Sequence, residues 1–385
     1  MTSTRAAEGS GRLVSHEPAS TLLIPGVRLS GQAWHIRYTT TTALGELIET
    51  TGTVLVPTRC PARLLVGHAV GNQGLAPRVA VASTLLRWGL ENEALVFELA
   101  LRRGFAVAIP NYPGLGDDSG TVHPSVVGRS LGPAVLDCIT AATQLTGGGL
   151  DGLPVAIEGY SEGGCAAAWA LELQPAYAPQ MPVVAGAAGG VPADLVEVYE
   201  ANRRGIAAFM PLYVLIGLDS AYPDVQIGRF LTRRSAVLVR LFRHTHIVAA
   251  VVLGLFTTAW MGQRAVADPS PFDDPAVRAR IDENRLGAQA PAVPVLLAVA
   301  TMDQVIPVPQ TVTLAKEWRA RGGHVDLRVY RFAEHMIGGV RFYRDALKHF
   351  ETYLNAAGAV RCDAVADGYG GSRGPYGEPR RGSGA

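Results

Sequence analysis

The residues best suited to chemistry in this 385-residue chain centre on Gly159-Tyr160-Ser161-Glu162-Gly163. An apolar run, Leu153 to Glu158, precedes the pentad and reads as a buried strand; helix formers from Cys165 to Leu173 follow it. Gly-x-Ser-x-Gly between strand and helix makes a sharp turn that pushes the serine Oγ out of the sheet. Side chains at the flanking positions would collide with neighbouring backbone, hence the glycines. A serine hydroxyl is a poor nucleophile until a base takes its proton, and the base needs an orienting acid. With this turn the chain order is Ser, then Asp or Glu, then His. Asp303 follows the apolar run Val293 to Ala300, where strand C-terminal ends meet ligands in open α/β sheets. His335 follows the run Val325 to Tyr330, and the gap from Asp303 holds one helix and one strand. The plainer readings are a turn or capping aspartate and a loop histidine bonded to backbone.

Competing residues are placed less well. His324 precedes the last strand, His349 lies on the terminal helix, and His244 and His246 sit among arginines. Asp326 falls inside a strand, and Asp273 and Asp274 fall in a Pro-rich loop. The tetrahedral intermediate of acyl transfer also needs hydrogen-bond donors at its oxyanion. The backbone N–H of Glu162, next after the serine, is one. The second should come from a loop after an early strand, either His68-Ala69-Val70-Gly71 or Asn111-Tyr112-Pro113-Gly114-Leu115-Gly116. Either could be an ordinary turn, and the residues alone leave the two open. This chemistry requires no metal and no organic cofactor. Gly114-Leu115-Gly116 is half a dinucleotide fingerprint with its third glycine misplaced. Cys60, Cys138, Cys165 and Cys362 lack the close pairs of a zinc site, and four free thiols are expected, with Cys138 and Cys165 buried on helices.

These residues must be held by a scaffold, and the hydrophobic pattern describes it. Trp34–Thr39 and Ile48–Pro57 alternate as an antiparallel hairpin. Arg63–His68, Phe105–Pro110 and Val183–Ala187 are short continuous apolar runs, as in strands buried on both faces. Helical spacing over Glu91–Arg102 and Ser130–Leu145 separates them, which implies a mostly parallel, doubly wound sheet. From residue 194 to 289 the pattern is helical without a convincing strand, so a helical cap is expected to interrupt a core of residues 21–193 and 290–358. Its most apolar run, Ile247 to Gly262, is short for a membrane span and reads as a buried helix or a lid surface that touches lipid or an apolar substrate. Residues 1–20 and the Gly/Arg-rich tail 359–385 carry no periodic pattern and are expected to be disordered. The composition, 48% hydrophobic and 17% charged with a net charge of +1, excludes a global basic field for nucleic acid. The polar start lacks the apolar segment of a secretion signal, from which a cytoplasmic protein is expected.

Pro110-Asn111-Tyr112-Pro113-Gly114-Leu115-Gly116, His123-Pro124 and Gly128-Arg129-Ser130 resemble the secretory lipase family, typified by fungal lipase A. The resemblance extends through Gly159–Gly164, Ala221-Tyr222-Pro223 and the Asp303 and His335 segments, covering roughly residues 30–355. It implies an α/β-hydrolase fold with an inserted cap, and serine hydrolysis of a hydrophobic carboxylic ester through an acyl-enzyme. It also implies Asn111 as the second oxyanion residue, where family members usually carry aspartate. The resemblance further implies His-Gly where this chain has His68-Ala69. Two other functions stay open: an acyltransferase, lactonase or cyclase using the same nucleophile, and a non-catalytic binding protein on the same scaffold. The expected partner is a hydrophobic small-molecule ester, with transient lipid contact through the cap.

Overall fold

The computed structural model describes residues 5–76, 85–116, 120–202, 207, 209–261 and 271–356, without the side chains of 255–261. The chain enters through strand β1 (Leu13–Ala19) and a small hairpin, β2 (Leu22–Ile24) with β3 (Val27–Arg28). Strands β4 (Gly31–Thr41) and β5 (Leu47–Pro57) then pair antiparallel along their whole length, as their alternation predicts. The first twenty residues are not simply disordered: β1 pairs with β4 from Leu13↔Tyr38 to Ala19↔Ala33. Ser15, His16, Glu17 and Pro18 are exposed there, so this edge strand is held by backbone pairing and by Leu13 and Ala19 at its ends, and carries no apolar period to read.

The continuous apolar runs form the centre. Strand β6 (Leu64–Ala69) leads through α1 (Leu86–Trp88) and α2 (Ala94–Arg102) to β7 (Phe105–Pro110). Helix α3 (Gly128–Thr143), β8 (Val155–Tyr160), α4 (Glu162–Tyr177) and β9 (Val183–Gly189) follow. All residues of β6, β7 and β8 are buried; each large aliphatic side chain so placed contributes about 1.5–3 kcal/mol. The cap consists of α5 (Leu195–Asn202), α6 (Met210–Ala221), α7 (Arg233–Phe242), α8 (Ile247–Met261) and α9 (Pro275–Glu283). The chain returns through β10 (Val295–Ala300), α10 (Val308–Ala320), β11 (Val325–Tyr330) and α11 (His335–Ala356).

The nine-stranded sheet has the order β1-β4-β5-β7-β6-β8-β9-β10-β11, parallel from β7 to β11. The connection from β6 runs outward to β7, and the next one returns past β6 to β8. Such a reversal opens a crevice at the strand C-terminal ends, the usual ligand position in open α/β sheets. Helices α3 and α4 pack together, and α2 packs with α11.

The cap has its own core around Tyr213, Ile216, Tyr222 and Phe242. Asp274 caps α9 by accepting from the Ala276 and Val277 N–H groups, a structural task that suits its Pro-rich surroundings. The cap is stitched to the loop after β6: Gly74 bridges to His246, and the Ile247 N–H donates to the Gln73 carbonyl at 2.9 Å. Glycine is required at 217, because a methyl there would overlap the Ser125 backbone. No helix among the described residues is long and apolar enough to cross a membrane. Cys138 and Cys165 are buried free thiols on α3 and α4. Cys60 is disulfide-bonded, its partner lying outside the described residues, so four free thiols is a wrong reading; wide sequence separation carries no information about pairing in space. The expected tail 359–385 lies outside the described residues.

Candidate active site

Ser161 sits between the end of β8 and the start of α4 with φ 62° and ψ −123°, a conformation side chains rarely adopt. Backbone crowding enforces the turn: a methyl at Gly159 would overlap the Gly163 carbonyl, and one at Gly163 would overlap the Ala69 carbonyl. The Ser161 N–H donates to the Gly189 carbonyl at 2.9 Å, anchoring the turn to β9.

His335 opens α11, and its Nε2 lies 3.0 Å from Ser161 Oγ. Its Nδ1 lies 2.8 Å from Asp303 Oδ2. Asp303 follows β10, and its other oxygen accepts from the N–H groups of Val305 and Ile306 at 2.9 and 2.8 Å. The aspartate therefore caps its own turn and holds the imidazole at once. Glu334 fixes the start of α11 by accepting from the Met336 and Ile337 N–H groups, bonds that hold its carboxyl below the usual range. The ring of Tyr160, next to the nucleophile, lies 5.1 Å from that of His335. The three side chains form one hydrogen-bonded line from strand ends β8, β10 and β11.

As the first residue of α4, Glu162 has a backbone N–H with no intrahelical acceptor. Its side chain has a second task that the sequence does not disclose. The buried Oε1 accepts from Ser125 Oγ at 2.6 Å and the Val126 N–H at 2.8 Å, and stands 3.3 Å from His123 Nε2. Burial works to raise this carboxyl, but His123 and these bonds prevail and hold it below its ordinary value. The acidic residue inside the pentad was the available signal. Asn72 Nδ2 donates to Ser125 Oγ at 2.8 Å, which links the loop after β6 to the same cluster.

The two candidate oxyanion loops differ in geometry. The Asn111 N–H donates to the Thr51 carbonyl at 2.9 Å, and its Nδ2 to Thr51 Oγ1 at 2.7 Å. That N–H belongs to the sheet, so any part Asn111 takes at the oxyanion falls to its side-chain amide. The Ala69 and Val70 carbonyls meanwhile face the position a methyl on Gly163 would take, so the loop after β6 forms a wall of the elbow. Of the dismissed histidines, His349 stands 3.5 Å from the Pro294 carbonyl and His246 pairs with the loop after β6.

Comparison with known proteins follows the same lines. The profile of the secretory lipase family matches residues 80–360. A protein named "Probable inactive lipase" from Mycobacterium tuberculosis is 27% identical over 325 residues, 79% of this chain and 69% of that one. A secreted triacylglycerol lipase of Malassezia globosa is 28% identical over 308 residues, 77% of this chain and 66% of the relative. The fold matches lipase A of Candida antarctica in its closed state, with a TM-score of 0.74 at 20% identity over 90% of this chain and 83% of that one. These findings overturn the expected cytoplasmic location, since the matching family is that of secretory lipases and the Malassezia globosa relative is named a secreted lipase. With the α/β-hydrolase sheet, the elbow and the family match in agreement, the chain belongs to the secretory lipase family.

Proposed function

We infer that the protein hydrolyses a hydrophobic carboxylic ester through an acyl-enzyme formed on Ser161. The observation that carries this reading is the line Ser161 Oγ, His335, Asp303, with contacts of 3.0 and 2.8 Å, on a strained elbow at the strand ends. His335 takes the serine proton as Oγ attacks the ester carbonyl, then returns it to the departing alcohol. Asp303 selects the tautomer that leaves Nε2 facing Oγ and stabilises the imidazolium that forms. The Glu162 N–H and the Asn111 side-chain amide hold the oxyanion. Water then enters, and His335 activates it to release the acid.

An apolar substrate fits the surroundings. Met302, Phe332, Met336 and Ile337, all on the segments that bring Asp303 and His335 to the site, are exposed. In the cap, Val248, Val251 and Val252 of α8 are also exposed, and this is the face proposed for transient lipid contact. An active-site phosphonate should label wild type to one equivalent and leave Ser161→Ala unlabelled. Ser161→Ala should keep only residual turnover, roughly 10³-fold over water. Wild-type-like ester turnover in Ser161→Ala rejects the assignment, and an unlabelled wild type favours a non-catalytic scaffold.

A further inference from the structure

A group of buried charges lies beside the elbow and takes no part in the steps above. His68, at the end of β6, is wholly buried. Its Nδ1 lies 3.0 Å from Glu158 Oε1 on β8, and its Nε2 lies 3.1 Å from Glu93 Oε2, just before α2. A carboxylate oxygen accepts, so carboxylates facing both ring nitrogens favour the protonated imidazole. Burial works to lower its pKa, but the bonds to Glu158 and Glu93 lift it to about 9. Tyr343, about two turns into α11, stacks on the imidazole at 5.2 Å. Its hydroxyl donates to Glu93 Oε1 at 2.7 Å. The Gly71 N–H points at the same oxygen at 3.4 Å. Glu91 stands beside them, its Oε1 accepting from the Glu93 N–H at 3.2 Å.

Buried ion pairs contribute little net stability against a well-packed apolar core, so stability alone is a weak account of this cluster. Its connections are more informative. It joins β6, whose following loop walls the elbow, to β8, which leads into Ser161, and to α11, which opens with His335. We propose that His68 is a positioning residue for acyl transfer, held between Glu93 and Glu158 so that the 69–71 loop and α11 stay aligned with Ser161. The inference rests on Ser161 acting as the nucleophile.

Two mild variants test it. Glu93→Gln keeps an acceptor for Tyr343 and removes one charge facing the imidazolium; Tyr343→Phe removes a single hydrogen bond and keeps the stacked ring. Turnover of a short-chain p-nitrophenyl ester, phosphonate titration and melting temperature are measured for both and for wild type. Each variant should still titrate to one phosphonate per chain and keep KM within about two-fold, yet lose about 10-fold in kcat through misalignment. If the protonated ring holds the alignment, wild-type kcat should fall as pH rises through about 9, and in Glu93→Gln that fall should move to lower pH, with Glu158 and Tyr343 still against the ring and Glu91 beside residue 93. Unchanged kcat with a lowered melting temperature would assign the cluster to packing and overturn the proposal, as would a loss confined to KM. If Glu93→Gln does not fold, Tyr343→Phe decides by the same kcat and KM comparison. A wild type that takes up no phosphonate overturns the serine reading itself, and this inference with it.

Discussion

At Asn111 a single substitution separates two ways of holding the oxyanion. Its N–H is committed to the Thr51 carbonyl, so any oxyanion role falls to the side-chain amide, and Asn111→Ala removes that amide together with its bond to Thr51 Oγ1. The expected result is a loss of about 10²-fold in kcat with KM little changed, the usual cost of one oxyanion donor. Steady-state kinetics on a soluble ester checks this, and a silent substitution would assign the second donor to the loop after β6. Ser161, Asp303 and His335 were legible in the sequence because each lies where a continuous apolar run ends, and their order follows from the turn chemistry. The side-chain role of Glu162 and the cluster around His68 were not. Glu93, Glu158 and Tyr343 are 250 residues apart at the extremes, and only the folded sheet brings their charges to one imidazole.

Among the elements, the cap offers the clearest contrast between packing and substrate recognition. Helix α8 is apolar over nearly its whole length. Leu253 packs partly against the cap core, whereas Val248, Val251 and Val252 remain exposed. If α8 lines the acyl pocket, Leu253→Asn should lower kcat/KM for long-chain esters more than for acetyl esters, because a sealed apolar site strengthens the chemistry beneath it. A chain-length series measured with melting temperature checks this. Equal losses at every chain length that track a fall in melting temperature would leave α8 a packing helix. The central strands were legible because burial on both faces leaves a continuous apolar run, and the cap helices because their apolar residues recur at helical spacing. Strand β1 was not, since its residues from Ser15 to Pro18 face outward and only its backbone pairs with β4.

For the whole molecule, several buried acids set how stability responds to pH. Burial, only partly offset by hydrogen bonds, raises Glu172 from 4.5 to about 7 and Asp137 from 3.8 to about 7. Burial together with the neighbouring Glu93 raises Glu91 from 4.5 to about 8. His68 is raised from 6.5 to about 9, its carboxylate bonds outweighing burial. A group whose folded pKa exceeds its unfolded value contributes stability that is complete below the unfolded pKa and disappears as pH rises through the folded one. All four therefore act in one direction: the acids lose their contribution between about pH 4 and 8, and His68 between about 6.5 and 9. Glu98 and Glu162 are lowered and have the opposite sense, losing their contribution only as pH falls below 4.5. The melting temperature should accordingly peak on the mildly acidic side and decline toward pH 9. Glu172 allows an isosteric test, because its Oε1 accepts from Trp318 Nε1 at 2.6 Å and the Gly287 N–H at 2.7 Å, and a glutamine oxygen can accept both. In Glu172→Gln the titration is gone, so the decline between pH 4.5 and 7 should become shallower while the gentler fall toward pH 9 remains. Thermal unfolding in buffers from pH 4.5 to 9 measures both slopes, and an unchanged slope below pH 7 would show that Glu172 is already ionised in the folded protein.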